Sequence, residues 1–340
     1  MIVDYADSLA ALTGVAPAGS LSSLPDDPVT AADQFALALW RACGHDGLPL
    51  RVASQTVGGL PGPGWSECFV SGNVGRSQFV ALRDLTSAGP ALPGPVACLA
   101  LGGAGLQGQH GRKWRAAPGN LHLSVAMPCD LDAALCGPSL PMLPGVVLAE
   151  AATDLVGAQA AARAGLGLKW VNDLVAGDGA GGWRKLGGVL TAMRTNGARV
   201  TTVFCGLALN LEVSPSLTGD PLALPAGSLA DLAPADGLPS PLLAAAAVAV
   251  LAHLREQLAA LAARGPEGLV DAYRARSVVV GREVAVWDPD AREPGAATGA
   301  PPRRRGVVAG IQPDLGLVLE GQDEPVREGR LRLIGDPANR

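Results

Sequence analysis

The sequence predicts an α/β chain whose strands gather in its middle, followed by a small all-β unit of the SH3-barrel type. Three observations carry this. From Ser77 onward, short apolar runs bounded by Gly and Pro read as buried strands. Three strand-like segments then follow one another between two helix-like stretches. The last 65 residues hold only short β-rich runs at close spacing.

Taken in order, residues 1–75 form an N-terminal extension of unassigned fold. Within it, Ala31 to Trp40 has helical spacing, with Thr30 as N-cap and Asp33 in the first turn, where a carboxylate suits the helix dipole. A Gly/Pro-rich loop follows from Gly58 to Gly64. No second helix of recognition type and no basic cluster accompany it, which argues against a DNA-binding winged helix. Gln78–Leu82 and Val96–Leu101 are expected as buried strands, and Leu121–Met127 alternates with period two, as a half-covered strand should. Pro144–Gly157 and Leu242–Ala263 read as helices. Between them Gly167–Trp170, Lys185–Arg194 and Val200–Leu211 read as strands. In the terminal unit the expected strands are Val278–Val280 and Glu283–Trp287, Gly306–Ile311, Gly316–Glu320 and Gly329–Ile334, with Gln312–Leu315 as a turn and Arg303–Arg305 as a solvated loop.

Composition bounds the function. At 340 residues the chain has ample length for a sizeable core, and apolar residues make up 48% of it, so its 45 glycines and 28 prolines signal turns rather than disorder. A net charge of −5 with only 17% charged residues argues against a basic nucleic-acid-binding surface. The six cysteines show no CxxC pair and no histidine at metal spacing, which suits small buried hydrophobes in a reducing compartment. The N-terminus has neither basic n-region nor apolar h-region, and the apolar stretch Pro241–Ala252 is interrupted by His253, Arg255 and Glu256. The expectation is a cytoplasmic protein with no membrane span.

Lysine is the most selective residue in the chain. Only three of the 26 basic residues are lysines, Lys113, Lys169 and Lys185, and each lies in a glycine- or tryptophan-rich stretch. Lysine is a compact ammonium on a flexible stem, and its pKa moves with burial, so arginine does not replace it everywhere. Around Lys113, the segment Gln107-Gly108-Gln109-His110-Gly111-Arg112-Lys113-Trp114 can bring backbone N–H groups and the Arg112 guanidinium to a phosphate. Lys169 precedes Trp170, Asn172 and Asp173. That set either stabilises charge developing on a phosphoryl or carboxyl oxygen or makes a simple salt bridge. Gly187 and Gly188, after Lys185, let a ligand or another chain lie flat on a strand. Asn210, closing Gly206 to Leu211, is either a strand-end cap or a base-reading amide.

In this order the segments resemble the biotin protein ligase family from about Phe79 to the C-terminus. The family's Gly-Arg-x-Trp is matched by Gly111 to Trp114, and its Leu-Tyr-Leu-Ser strand by Leu121-His122-Leu123-Ser124. Its Lys-Trp-Pro-Asn-Asp-Leu is matched by Lys169 to Leu174 with Val171 for proline. Its Lys-Leu-Gly-Gly-Ile-Leu is matched by Lys185 to Leu190, and its Gly-x-Gly-x-Asn by Gly206 to Asn210 with Ala208 for the second glycine. The resemblance implies a central mixed sheet with flanking helices as a catalytic domain over residues 76–275, and an SH3-like domain over 276–340. It implies that ATP with Mg2+ activates biotin as an acyl-adenylate, which is then passed to a lysine of a biotin carrier domain. By the same likeness Lys169 and Arg112 would be catalytic. Lys169 would bridge the acid's carboxylate and the α-phosphate, Arg112 would hold phosphate, Asn172 and Asp173 would order the nucleotide or its metal, Gly188 would present backbone, and Asn210 would meet adenine. No residue is assigned as a metal ligand, and a homodimer through the central sheet is compatible with the sequence.

The departures cluster on the acid side. Three arginines of the family's loop are replaced by Gln107, Gln109 and His110, and the Ser-Thr-Asn used around the biotin head is represented only by Thr86 and Ser87. Each hydrogen-bond partner removed from a buried ureido ring costs on the order of 1–3 kcal/mol. Biotin held differently, a lipoate or octanoate ligase of the same fold, and a non-catalytic acyl- or nucleotide-binding relative therefore stand beside one another.

Overall fold

In a computed structural model of the chain the residues described are 2–3, 21–23, 31–43, 51–53, 60, 62–88, 91–112, 114, 116–215, 222–234, 237–289 and 301–334. Ten strands form one mixed sheet: β1 (Ile2–Val3), β2 (Leu21–Ser23), β3 (Arg51–Ala53), β4 (Glu67–Ser71), β5 (Val96–Ala100), β6 (Leu121–Asp132), β7 (Gly167–Lys169), β8 (Asp173–Gly177), β9 (Trp183–Asn196) and β10 (Arg199–Leu209). Their spatial order is β2-β3-β1-β4-β5-β6-β10-β9-β8-β7. The sheet does not stop at residue 75, because β4 pairs in parallel with both β1 and β5. Thr30, Gly58 and Gly59 lie outside the described residues.

Alternation along the central strands builds two faces. On one, Leu121, Leu123, Val125 and Met127 of β6 join Val203, Cys205, Leu207 and Leu209 of β10 under the helix Leu143–Val156, which the helices Leu242–Arg264 and Glu267–Ala275 cover in turn. By length and composition the 23-residue helix Leu242–Arg264 is enough to cross a membrane; here its face of Leu243, Ala246, Ala247, Val250 and Leu254 is buried in this core. On the other face, Phe69, Cys98, Ala126 and Phe204 pack against the helices Ala31–Ala42 and Gln78–Ala88 through Phe35, Leu39, Phe79 and Leu82. Five cysteines are buried and Cys129 is half-buried; burial pushes the Cys43 and Cys68 thiols up to about 12, which leaves them unreactive.

Several expectations need correction. Gln78–Leu82 is not a strand but the first turns of the helix Gln78–Ala88. A short apolar run carries no period of its own; the burial of Phe79 and Leu82, three apart, with Arg83 and Asp84 exposed, is helical. Val278–Val280 is bend and turn rather than strand. The terminal unit is a four-stranded antiparallel sheet of β11 (Glu283–Trp287), β12 (Arg304–Ile311), β13 (Leu317–Leu319) and β14 (Arg330–Leu333), in the order β13-β12-β11-β14. Arg304 and Arg305 belong to β12, not to a loop, yet they remain exposed, facing Glu324 and Glu283.

Candidate functional site

Helix cover on the second face ends at Phe79, and beyond it the sheet floors a cavity of about 530 Å3. Strand register explains its chemistry. One row of Cα partners, His122–Ala208–Gly188–Asp173–Lys169, crosses the five strands β6, β10, β9, β8 and β7. The next row, Ser124–Gly206–Leu190, lies two residues along on the same face. Small residues thus make a flat floor, and the polar side chains stand at its two ends.

Lys169 and Asp173 close the β7–β8 hairpin and face each other directly. The ammonium of Lys169 lies 3.6 Å from Asp173 Oδ2, and that of Lys185 lies 2.5 Å from Oδ1. These side chains are 9%, 17% and 24% exposed for Lys169, Asp173 and Lys185. Burial pushes the Asp173 carboxyl up, but Lys185 and Lys169, with Arg112 farther off, outweigh it and hold it below the ordinary carboxylate range. Burial lowers the Lys169 ammonium; Asp173 opposes that effect, and Lys185 adds to it. Gly188, the Cα partner of Asp173 on β9, keeps the floor low beside this pair; a Cβ there would make only ordinary contact, 3.4 Å from Lys185 Nζ and 3.5 Å from Asn172 O.

The hairpin between Lys169 and Asp173 is braced on three sides. Asn172 Nδ2 donates to Val189 O at 2.9 Å, and Tyr273 Oη donates to Val171 O at 2.8 Å. Trp170 Nε1 donates to Leu315 O, in the turn between β12 and β13, at 2.7 Å, and the Trp170–Val171 peptide is cis. Opposite, Leu106–Arg112 and Trp114 make a hairpin loop, with Gly108 N donating to Arg112 O and Trp114 N to Leu106 O. His110 (φ 55°) and Gly111 (φ 69°) both adopt left-handed backbone at its tip. Arg112 Nε donates to Gln109 O at 3.2 Å, so the loop orients its own guanidinium.

Most of the expected residues meet in this cavity: Lys169, Asn172, Asp173, Lys185, Gly188 and Asn210 from the sheet, with Gln107, Gly108, Gln109, Arg112 and Trp114 from the loop. Others do not line it. His110 and Gly111 are exposed at the loop tip, and Lys113 lies outside the described residues. A Cβ at Gly187 would meet Ala208 O at 2.4 Å and Leu148 on the opposite face, so that glycine serves packing. Thr86 and Ser87 sit at the far end of their helix, with hydroxyls donating back to Leu82 O and Arg83 O. The Asn210 carboxamide is engaged within the protein: it donates to Gly227 O at 2.9 Å and accepts from Asn120 Nδ2 at 3.4 Å. That favours its reading as a strand-end cap. The expectations left out Ser77, Phe79, His122, Ser124 and Arg330, all of which line the cavity. His122 and Ser124 were discoverable as the polar alternates of β6, whereas Arg330 reaches the site from β14 and had no local signal.

Among the described residues that line the cavity Asp173 is the sole carboxylate, beside the cations Lys169, Lys185, Arg112 and Arg330. Such a set receives anions. No family model matches the sequence, and no curated protein does. Solved structures do match. The biotin protein ligase from Aquifex aeolicus in complex with biotin and ATP superposes with a TM-score of 0.54 at 16% identity, covering 79% of this chain and 99% of that one. A second crystal structure of the Aquifex aeolicus ligase gives 0.51 at 15% identity, covering 79% and 98%. The Leishmania major ligase in complex with biotinyl-5-AMP gives 0.46 at 22%, covering 62% and 80%. The chain has the biotin protein ligase fold. Within that fold the cavity lies between the floor of the sheet, the Arg112 loop and β14.

His122 makes the biotin-ligase-fold sheet sensitive to acid. It is 3% exposed, and burial lowers its pKa to about 4, with the bond to Ala117 O opposing. As pH falls, the unfolded chain therefore takes up the proton first, near the ordinary value of about 6.5. The stability from neutral His122 is complete above that pH and is lost as pH falls towards about 4, up to about 3 kcal/mol in all. Urea midpoints at pH 7 and 4.5 should fall more steeply for the native chain than for His122→Phe.

Proposed function

We propose that this chain is an ATP-dependent acid–protein ligase that activates biotin as its acyl-adenylate and passes it to a lysine of a biotin carrier domain. The observation that carries this reading is the buried Lys169 ammonium, held opposite Asp173 in a cavity that also presents Lys185 and Arg112. Joining two anions needs fixed cations shielded from water. Lys169 would lie between the acid's carboxylate and the α-phosphate as the carboxylate oxygen attacks phosphorus and pyrophosphate leaves. Arg112 would take the departing charge. In the second step the carrier's lysine nitrogen attacks the acyl carbon, the bond to AMP breaks, and the lysine loses a proton. The floor of Gly188, Gly206 and Ala208 would let the adenylate lie flat.

Mg2+ binds oxygen, usually through one or two carboxylates and substrate phosphates. Asp173, the one carboxylate among the described lining residues, is already occupied by two ammonium groups, so the described residues do not build a magnesium site of their own. The ion would arrive on the nucleotide.

One observation favours lipoate or octanoate instead: Thr86 and Ser87 turn away from the cavity, whose Phe79 and Leu190 are apolar. ATP–pyrophosphate exchange with biotin, lipoate and octanoate offered separately decides between them. Exchange with biotin alone is expected. Exchange with a fatty acid alone would move the chain to the sister activity, and none with any acid in folded protein would leave a binding protein.

A further inference from the structure

Lys185 and Trp114 come from opposite walls of the cavity, yet the Lys185 ammonium stands 5.4 Å from the centroid of the Trp114 ring. A histidine fixes that ring. Trp114 Nε1 donates to His122 Nδ1 at 3.3 Å, while His122 Nε2 faces Ala117 O at 3.4 Å. A carbonyl oxygen only accepts, so Nε2 carries the proton and Nδ1 offers the lone pair that an indole N–H requires. The base of the Arg112 loop is also held by Trp114 N to Leu106 O at 3.0 Å, by the antiparallel bridge between Gly103 and Ala116, and by packing on Val74, Ala100 and Leu106. The contacts continue in line: Lys185 reaches Asp173, and Asp173 faces Lys169.

We propose that His122, as the Nε2–H tautomer, is a positioning residue that fixes Trp114 and thereby sets where the Arg112 loop and the Lys185 ammonium stand. Its catalytic consequence rests on the acyl-adenylate reading; the contact itself does not.

The test combines indole NMR with exchange kinetics. The chain has six tryptophans, and Trp114→Phe assigns the resonance. In His122→Phe the Trp114 indole proton should move upfield and exchange with solvent about tenfold faster or more, as a donor without its acceptor does. His122→Asn, which returns an acceptor oxygen near Nδ1, should restore it. In ATP–pyrophosphate exchange, His122→Phe should raise the nucleotide KM about tenfold with kcat changed less than about threefold, and His122→Asn should recover most of the loss. Trp114→Phe removes the N–H together with part of the ring that packs on Val74, Ala100 and Leu106, so its effect should be at least that of His122→Phe, and adding His122→Phe to it should cost little more. An unchanged indole signal in His122→Phe overturns the proposal, as do fully additive kinetic effects. If the native chain exchanges with no acid, the adenylate reading fails while the indole signals still decide the role of His122.

Discussion

Lys169→Ala is expected to lower ATP–pyrophosphate exchange by about 10²–10³-fold while leaving a folded protein, because it removes a cation placed where charge develops. The two halves of that result have separate causes. Lys169 is almost fully enclosed, and its ammonium is pushed down by burial, so the fold gains little from holding it charged. Asp173 keeps Lys185 at 2.5 Å and is not orphaned by the change. Lys169→Arg should not rescue, since a planar fork does not fit a space shaped for a point charge. Circular dichroism and a urea midpoint, read beside exchange, check both halves; a variant that exchanges normally would remove Lys169 from the chemistry.

Asp173→Ala should do the reverse and damage the fold first. It leaves the ammonium groups of Lys169 on β7 and Lys185 on β9 without the carboxylate between them in a mostly buried site, and breaking a buried ion group in this way costs about 3–5 kcal/mol. Asp173→Asn keeps the shape and some hydrogen bonding and should fall between. Denaturant midpoints decide, and added pyrophosphate should recover part of the loss in both variants by supplying the missing negative charge. Variants as stable as the native chain would mean that the three charges are not coupled.

Much of the site was legible because its residues lie in contiguous segments. Lys169 and Asp173 are four apart, and a three-residue hairpin brings them face to face. The alternation of Leu121, His122, Leu123 and Ser124 marked a strand whose polar members line the cavity, but the strand is not half-covered, because Leu121–Met127 is buried on both faces. The row from His122 to Lys169 was not legible, because register across five strands is set by hairpin lengths and by the bulge between Leu174 and Val175. Gln78–Leu82 was misread because only the exposed Arg83 and Asp84 beyond it reveal the helical period. Thr86 and Ser87 looked available as hydroxyls, but side chains of this type in a helix often bond back to the preceding turn, and these two do.

The bond from Trp170 Nε1 to Leu315 O joins the residue after Lys169 to the turn between β12 and β13, and Gly329 with Arg330 and Leu331 of β14 wall the cavity. Filling the cavity and seating the terminal sheet are therefore linked equilibria, and each strengthens the other by the same factor. A nucleotide that never touches β11 or β12 should still slow amide hydrogen exchange along both, because every opening that frees those strands must first give up a wall of the occupied site.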